Sequence, residues 1–416
     1  MRLGFAKCCI TPPVGTELGG YAGYRPCDGV HDDLWCRAVV LEQGDARWAL
    51  VTMDLLCVDE ALYRKIVARA AHLGLTPEKT VIAAIHSHAA PVGIVPGEGP
   101  LARIDAGSTP EGAAFRKYSE QLVASAVATL EEATANLEGF WVRSAQGEIP
   151  CVGSERHTGN PAPALATVIQ CRTESGKNLI LYNYPCHPTV LSAANLTVSA
   201  DLAWGIEQAM DGDMTVFLNG AAGDISTRFT RQGQNFGECQ RLGAMAAEEL
   251  KKLLETTEFS DPTPIRGQQR LVTLKARTVE PEEKALAVLQ HCEAQWKAAE
   301  AAGEDPGRVR ILKSYVEGAG VSLHFARTMA GIGEFHVPVS VFQLGNIQAV
   351  TVPGELFRTL LPERPVAAVC YANGYYRYLA DKNAYDVGYY EAMAAIVDRG
   401  QGETLMAAVE EMLEAL

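Results

Sequence analysis

The chain has no run of lysine and arginine: 36 basic residues are scattered among 50 acidic ones over 416 positions, for a formal charge of -14. Tracking a phosphate backbone takes clustered cations, so nucleic-acid binding is disfavoured, and the same acidity opposes docking on an anionic lipid surface. Long apolar runs are also missing. The best, Trp48 to Val58, is broken by Asp54 and falls far short of the ~20 residues that cross a bilayer, which predicts no stable membrane insertion. The opening residues meet Arg2 and Lys7, then Cys8, Cys9 and Pro12-Pro13, so no apolar stretch suits an export signal and a cytoplasmic location is expected. The 11 cysteines include no Cys-x-x-Cys pair; they read as reduced packing residues rather than as a disulfide or cysteine-rich metal site. No internal repeat or low-complexity tract is visible.

What is there is globular composition, 48% hydrophobic and 21% charged, with 38 glycines and 21 prolines dispersed. Strand-like stretches at Arg37 to Leu41, Trp48 to Met53 and Thr80 to Ile85 surround an apolar spacing that predicts a helix over Asp59 to Leu73. A Gly/Pro-rich segment from Pro91 to Gly112 is long enough to be a functional loop. A long amphipathic helix is expected over Ala113 to Leu137, strands at Gly139 to Gly147, Ala166 to Arg172, Leu179 to Tyr184 and Met214 to Leu218, and a helix over Cys239 to Leu254. Strands near Arg270 and Val337 flank two polar helices over Glu280 to Gly318, an insertion. Strands at Ser340 to Leu344 and Ile347 to Val352, a helix from Glu355, a Tyr-rich stretch at Tyr371 to Tyr390 and a terminal helix from Glu403 follow. This interleaving predicts an α/β fold of mixed β-sheets flanked by helices, one domain over 1–416 with a helical insertion at about 280–320.

Three places could carry chemistry. His86-Ser87-His88 lies at a strand exit, where positions i and i+2 project to one face, so both imidazoles can reach one site. His187 follows the β-rich run Leu181 to Cys186 and precedes Pro188. Glu355 stands just past a buried strand, where a carboxylate is costly unless paired, solvated or bound to a metal. Each also has a plain alternative: core histidines for the first two, a helix N-terminal charge for Glu355. Three separated strand ends that each offer a ligand type zinc accepts favour a catalytic metal. The turn Asn219 to Ser226 can present backbone N–H groups and a hydroxyl to a ligand, but lacks the spacing of a nucleotide-phosphate loop.

These residues fall within a longer series. Ile10-Thr11-Pro12-Pro13, Gly20-Tyr21-Ala22, Gly29-Val30-His31 and Val51-Thr52-Met53-Asp54 come first. They are followed by His86-Ser87-His88-Ala89-Ala90-Pro91, Arg156 after Gly153-Ser154, His187-Pro188-Thr189, Asp201 and Gly223-Asp224-Ile225-Ser226. Pro353-Gly354-Glu355, Asn373-Gly374-Tyr375-Tyr376-Arg377-Tyr378, Tyr385 and Tyr390-Glu391-Ala392 complete it. In this order the series resembles the neutral/alkaline, non-lysosomal ceramidase family through most of the chain. The resemblance implies a zinc-dependent amidase of ceramidase-like fold with one Zn2+ per chain, held by His86, His187, Glu355 and Tyr378. It implies His88 as the proton-transferring base, Tyr390 and Arg156 as donors to the carbonyl oxygen, and Ser226, Arg156 and Tyr375 as substrate-binding residues. Residue chemistry alone would place Tyr378 in an aromatic core and leave Arg156 as readily in a surface ion pair.

Cys9, Ser87, Asp381 and Lys382 depart from the family pattern, and the chain ends soon after the Tyr390 motif, so no C-terminal immunoglobulin-like domain is expected. The expected reaction is hydrolysis of the amide of a small or medium N-acyl compound. Ceramide hydrolysis proper, an amino-sugar deacetylase, an esterase on the same site and a catalytically silent binding protein stand as alternatives. The oligomeric state is left open, a homo-oligomer included.

Overall fold

The computed structural model describes residues 1–99, 104 and 113–416; much of the expected functional loop, from residue 100 to 112, lies outside the described residues except for Ile104. Three four-stranded sheets share one plan. The first contains β1 (Arg2–Cys9), β2 (Trp35–Gln43), β3 (Ala46–Met53) and β4 (Thr80–Ala84). The second contains β5 (Phe140–Ile149), β6 (Ala164–Thr173), β7 (Asn178–Tyr184) and β8 (Met214–Asn219). The third contains β9 (Arg266–Lys275), β10 (Glu334–Leu344), β11 (Ile347–Val352) and β12 (Ala367–Cys370). In every sheet the strands lie side by side in chain order, the first two ladders antiparallel and the last parallel. The architecture is therefore repeated three times, a regularity that the sequence does not show. Strand pairing needs only a pleated, half-buried pattern, so three unlike sequences can repeat one hydrogen-bond plan.

A parallel ladder requires a crossover. It is made through α1 (Glu60–Ala70) in the first sheet and α3 (Leu202–Ala209) in the second, but in the third by little more than a single 3-10 turn at Arg358–Leu360. The helix predicted from Asp59 begins one residue later because Asp59 is its cap, Oδ1 accepting from Leu62 N at 2.7 Å. Each sheet has its own covering helix: α2 (Ala113–Ala135) on β1 and β2, α4 (Phe236–Glu255) on β5 and β6, and the terminal helix Gln401–Glu414 on β9 and β10. The opposite faces turn toward one another. Val81, Ala83, Phe342, Ile347, Ala349, Ala367 and Val369 pack there with Leu50, Ile169 and Leu218 from the other sheets. A cavity of about 470 Å³ opens between these apolar faces, and none of its lining residues is a candidate for chemistry.

The expected insertion is two helices, α5 (Glu282–Ala301) and α6 (Pro306–Thr328), between β9 and β10. Asp305 caps the second, accepting from Gly307 N at 2.9 Å and Arg308 N at 3.1 Å. Two further short helices, α7 (Lys382–Val387) and α8 (Tyr390–Ala394), precede the terminal helix, α9, and α6 packs against α8. The helix expected from Glu355 is absent: Glu355–Leu356 instead forms a two-residue parallel bridge with Tyr378–Leu379, in which Glu355 N donates to Arg377 O at 2.9 Å. That pairing takes the amide a helix would have left to solvent. The strand Arg2–Cys9 was not expected either, because Gly4 and Lys7 blur its alternation; Gly4 is needed where a Cβ would collide with Ala133 O of α2.

Candidate metal centre

The carboxyl ends of β3, β4, β7, β8, β11 and β12 all lead into one region, as expected where parallel strands end. His86 follows β4 by two residues with φ of +70°, and Tyr371, Asn373 and Arg377 just past β12 also take positive φ. Non-glycine residues held in this sparsely populated region cluster where surrounding structure over-determines the backbone. The His86 ring stacks on Tyr371 at 4.1 Å between centroids, and its Nδ1 lies 2.8 Å from Leu56 O. His187 leaves β7 with its amide on Ile225 O at 3.2 Å and its Nδ1 2.5 Å from Ala222 O. A ring nitrogen facing a carbonyl must carry the proton, so both histidines turn an Nε2 lone pair inward.

Glu355 faces those two Nε2 atoms. Its Oε2 is 3.0 Å from His187 Nε2 and 3.4 Å from His86 Nε2, while Oε1 accepts from the Tyr375 hydroxyl. All three donors are buried. Burial pushes the Glu355 carboxyl up, but His86 and His187 outweigh it and hold it well below the usual carboxylate range. Burial, reinforced by Arg156, lowers His187 to about 4. An ionised carboxylate and a neutral imidazole are the forms a metal requires. The separations also suit one ion, since tetrahedral ligands at zinc distances stand roughly 3.3 Å apart.

His88 is the third imidazole: the ligand atoms of His86, His88 and His187 all lie within 4.8 Å of one another, so this trio could also hold a metal. His88 Nε2 is 3.3 Å from His86 Nε2. Its environment differs in one respect. Among the described residues its buried Nδ1 has no hydrogen-bond partner, whereas the other two rings are anchored as metal-binding histidines usually are. Burial, then the neighbouring His86, hold its pKa well below the ordinary histidine value, and Tyr21 packs edge-on against it at 4.8 Å.

The remaining candidates surround this group. Glu355 and Tyr378 are direct partners in the parallel bridge, and the Tyr378 hydroxyl accepts from Arg156 Nη1 at 3.2 Å. Arg156 also reaches Gly223 O at 3.1 Å and Glu391 Oε1 at 3.2 Å, so its ion pair is a buried one beside the site. Tyr390 sets its ring edge-on to Tyr378 at 5.9 Å. Ser226 is buried, bridges to His187 through the backbone, and accepts from Arg228 N at 3.4 Å. Tyr375, expected to face substrate, places its hydroxyl on Glu355. Tyr371, beneath His86, and His157, whose Nε2 is 2.9 Å from Glu391 Oε2, had no assigned part. The aromatic density of Tyr371 to Tyr390 was the only signal for the first, and no signal marked the second.

No protein-family profile and no curated protein sequence matches the chain. Solved structures do. A neutral ceramidase from Pseudomonas aeruginosa superposes with a TM-score of 0.73 at 18% identity, over all of this chain and 74% of its own length. A ceramidase complexed with C2 matches at 0.73 and 17% identity, over all of this chain and 75% of its own. The chain thus has the mixed α/β fold of the neutral ceramidases, as the sequence resemblance implied. Among the described residues no immunoglobulin-like sandwich occurs, and no helix is long and apolar enough to cross a membrane.

Proposed function

We propose that the protein is a zinc-dependent hydrolase that cleaves the amide of a small or medium N-acyl compound in the cytoplasm. The observation that carries this reading is the convergence of two Nε2 atoms, on rings anchored to carbonyls through Nδ1, with one carboxylate oxygen that lies within 3.4 Å of each. The fold supports it, because the neighbours that share it are ceramidases. His86, His187 and Glu355 would hold the ion, with Tyr378 as fourth donor. The metal, when bound, supplies a Lewis acid that polarises the scissile carbonyl and acidifies water.

The chain's own groups do the rest. His88, neutral and not anchored at Nδ1, accepts a proton from the attacking water and returns it to the leaving amine. Arg156 and Tyr390 donate toward the carbonyl oxygen, where negative charge develops in the tetrahedral intermediate. Arg156 also steadies Tyr378 through the 3.2 Å contact, and Tyr375 fixes the Glu355 carboxylate so that Oε2 faces the histidines. Ser226 and the turn before it line the substrate side.

Metal analysis combined with amine release from a panel of N-acyl compounds tests this. One zinc per chain and turnover are expected for the wild type. His187→Ala and Glu355→Ala should lose both, while His88→Ala should keep zinc and lose roughly 10²–10⁴-fold in kcat. If His88→Ala instead emptied the site while Glu355→Ala stayed loaded, the three-histidine arrangement would replace this one. A loaded chain that released no amine from any compound would be a binding protein.

A further inference from the structure

Among the described residues, two guanidinium groups beside the centre make no direct ion pair, although Glu391 and Asp201 act on them from further off. Arg228 and Arg231 lie in the segment that follows Ser226, both half-buried. Arg228 spends one donor on Arg156 O at 3.2 Å, and Arg231 one on Thr189 O at 2.6 Å, two residues past His187. Neither forms an ion pair among the described residues. A guanidinium offers five donors and cannot shed its charge, so withdrawing two of them from water without a counter-ion is unfavourable unless an anion arrives.

The nearby carboxylates are already engaged. Asp201 is fully buried with Oδ1 on Val190 N at 3.0 Å and Leu202 N at 2.6 Å, and Oδ2 on Leu191 N at 3.0 Å. Glu391 pairs with Arg156 and His157, and Glu317 with Arg310 of α6. Burial, and then repulsion from Arg156 and Arg310, outweigh the attraction of Glu391 and lower Arg228 to about 10. This local excess of positive charge stands in a chain of net charge -14, so it is not background. Between the two arginines Phe229 leaves 44% of its surface exposed, an apolar contact beside two cations.

We infer that Arg228 and Arg231 form an anion subsite beside the candidate centre, and that the substrates are N-acyl compounds carrying a carboxylate or similar anionic group rather than neutral amphiphiles. This rests on the proposed amide hydrolysis and names its substrate class. The anion accepts from the unused guanidinium donors while the amide lies near Ser226 and the metal-binding residues. A charge-assisted hydrogen bond of this kind contributes roughly ten- to hundredfold in selectivity.

The test uses two matched pairs that differ by one negative charge: N-octanoylglycine against N-octanoylglycinamide, with the charge on the amine side, and N-glutaryl-butylamine against its terminal amide, with the charge on the acyl side. In at least one pair the wild-type protein should favour the anionic member by tenfold or more in kcat/KM. That ratio should collapse toward one in Arg228→Met and in Arg231→Met, and invert in Arg231→Glu. Calorimetric binding of N-octanoylglycine to His88→Ala, which should bind without turning over, gives a readout independent of catalysis; adding Arg231→Met should weaken it by a similar factor. Hydrolysis of both members at equal efficiency, or binding of N-octanoylglycine that ignores both arginines, would overturn the anion subsite and leave the hydrolase intact. Tight, arginine-dependent binding with no amine released by the wild type would overturn the hydrolase and leave the subsite.

Discussion

Gly20 sits at φ of +86° directly against the His88 ring, and a Cβ there would overlap Nδ1 and Cγ. An L-residue in this conformation already costs about 1 kcal/mol, and the overlap adds a push on His88, the imidazole we propose as the proton carrier. Gly20→Ala should therefore keep its zinc, since His86, His187 and Glu355 are untouched, and lose at least tenfold in kcat. Zinc stoichiometry and single-turnover rate, measured on the same preparation, check this; full activity would mean that His88 tolerates displacement or plays no chemical part. At this scale the sequence was most informative where ligand chemistry met a strand exit. His86, His187 and Glu355 could be singled out because buried polar residues past apolar strands need a reason. Tyr378 could not, since one phenol in an aromatic-rich segment looks like another; the resemblance alone selected it. The Tyr375 contact with Glu355 had no signal at all, for it depends on a bridge between two irregular segments.

Helices α3 and α4 cross with their backbones touching. A Cβ on Gly243 would run into the Gly205 main chain, and one on Gly205 into Cys239 O. In an isolated helix Gly→Ala gains about 1 kcal/mol, whereas overpacking a tight contact costs about 1–3 kcal/mol or more. With backbone as the obstacle no side chain can step aside, so the second effect should win. Gly243→Ala is expected to lower stability by roughly 1–3 kcal/mol in urea unfolding, and a stabilised variant would show that the helices can part. Because α3 is capped by Asp201, whose carboxylate holds the Val190 and Leu191 amides just past His187, the same variant should also loosen zinc. Most elements were legible from period and composition. The exception at Glu355 is physical: Pro353-Gly354-Glu355 does read as a helix start, but pairing with Tyr378–Leu379 across the chain overrides local preference, and no window on the sequence contains both partners.

For the molecule as a whole, stability should depend on pH in an unusual direction for a carboxylate. Burial pushes Asp59 up to about 7, against about 3.9 in an unfolded chain. Between those values the native state retains a proton that the unfolded chain has released. Stability from this group is therefore fully present below about pH 4 and is lost as pH rises through about 7. Asp59→Asn cannot ionise, so the advantage of wild type over the variant should shrink from pH 4 to pH 8, by up to about 4 kcal/mol. Denaturant midpoints at several pH values decide it, and parallel curves would mean the Asp59 carboxyl is ionised throughout. The three-sheet plan itself was not legible, because it lies in ladders between strands whose sequences have little in common.

One feature of that plan bears on timing. His86 leaves the first sheet, His187 the second, and Glu355 with Tyr378 the third, so each unit contributes a share of the proposed donors and none holds the set alone. A chain emerging from the ribosome cannot assemble the His86–His187–Glu355 set until the final unit has been made and has docked on the other two, and a fragment lacking any one sheet should never acquire that set. Closing contacts between His187 and Glu355, 168 residues apart, belongs to the slow, late part of folding. Metal uptake would then act as a proofreading step, rewarding only completed molecules with the extra stability that comes from binding the native state alone.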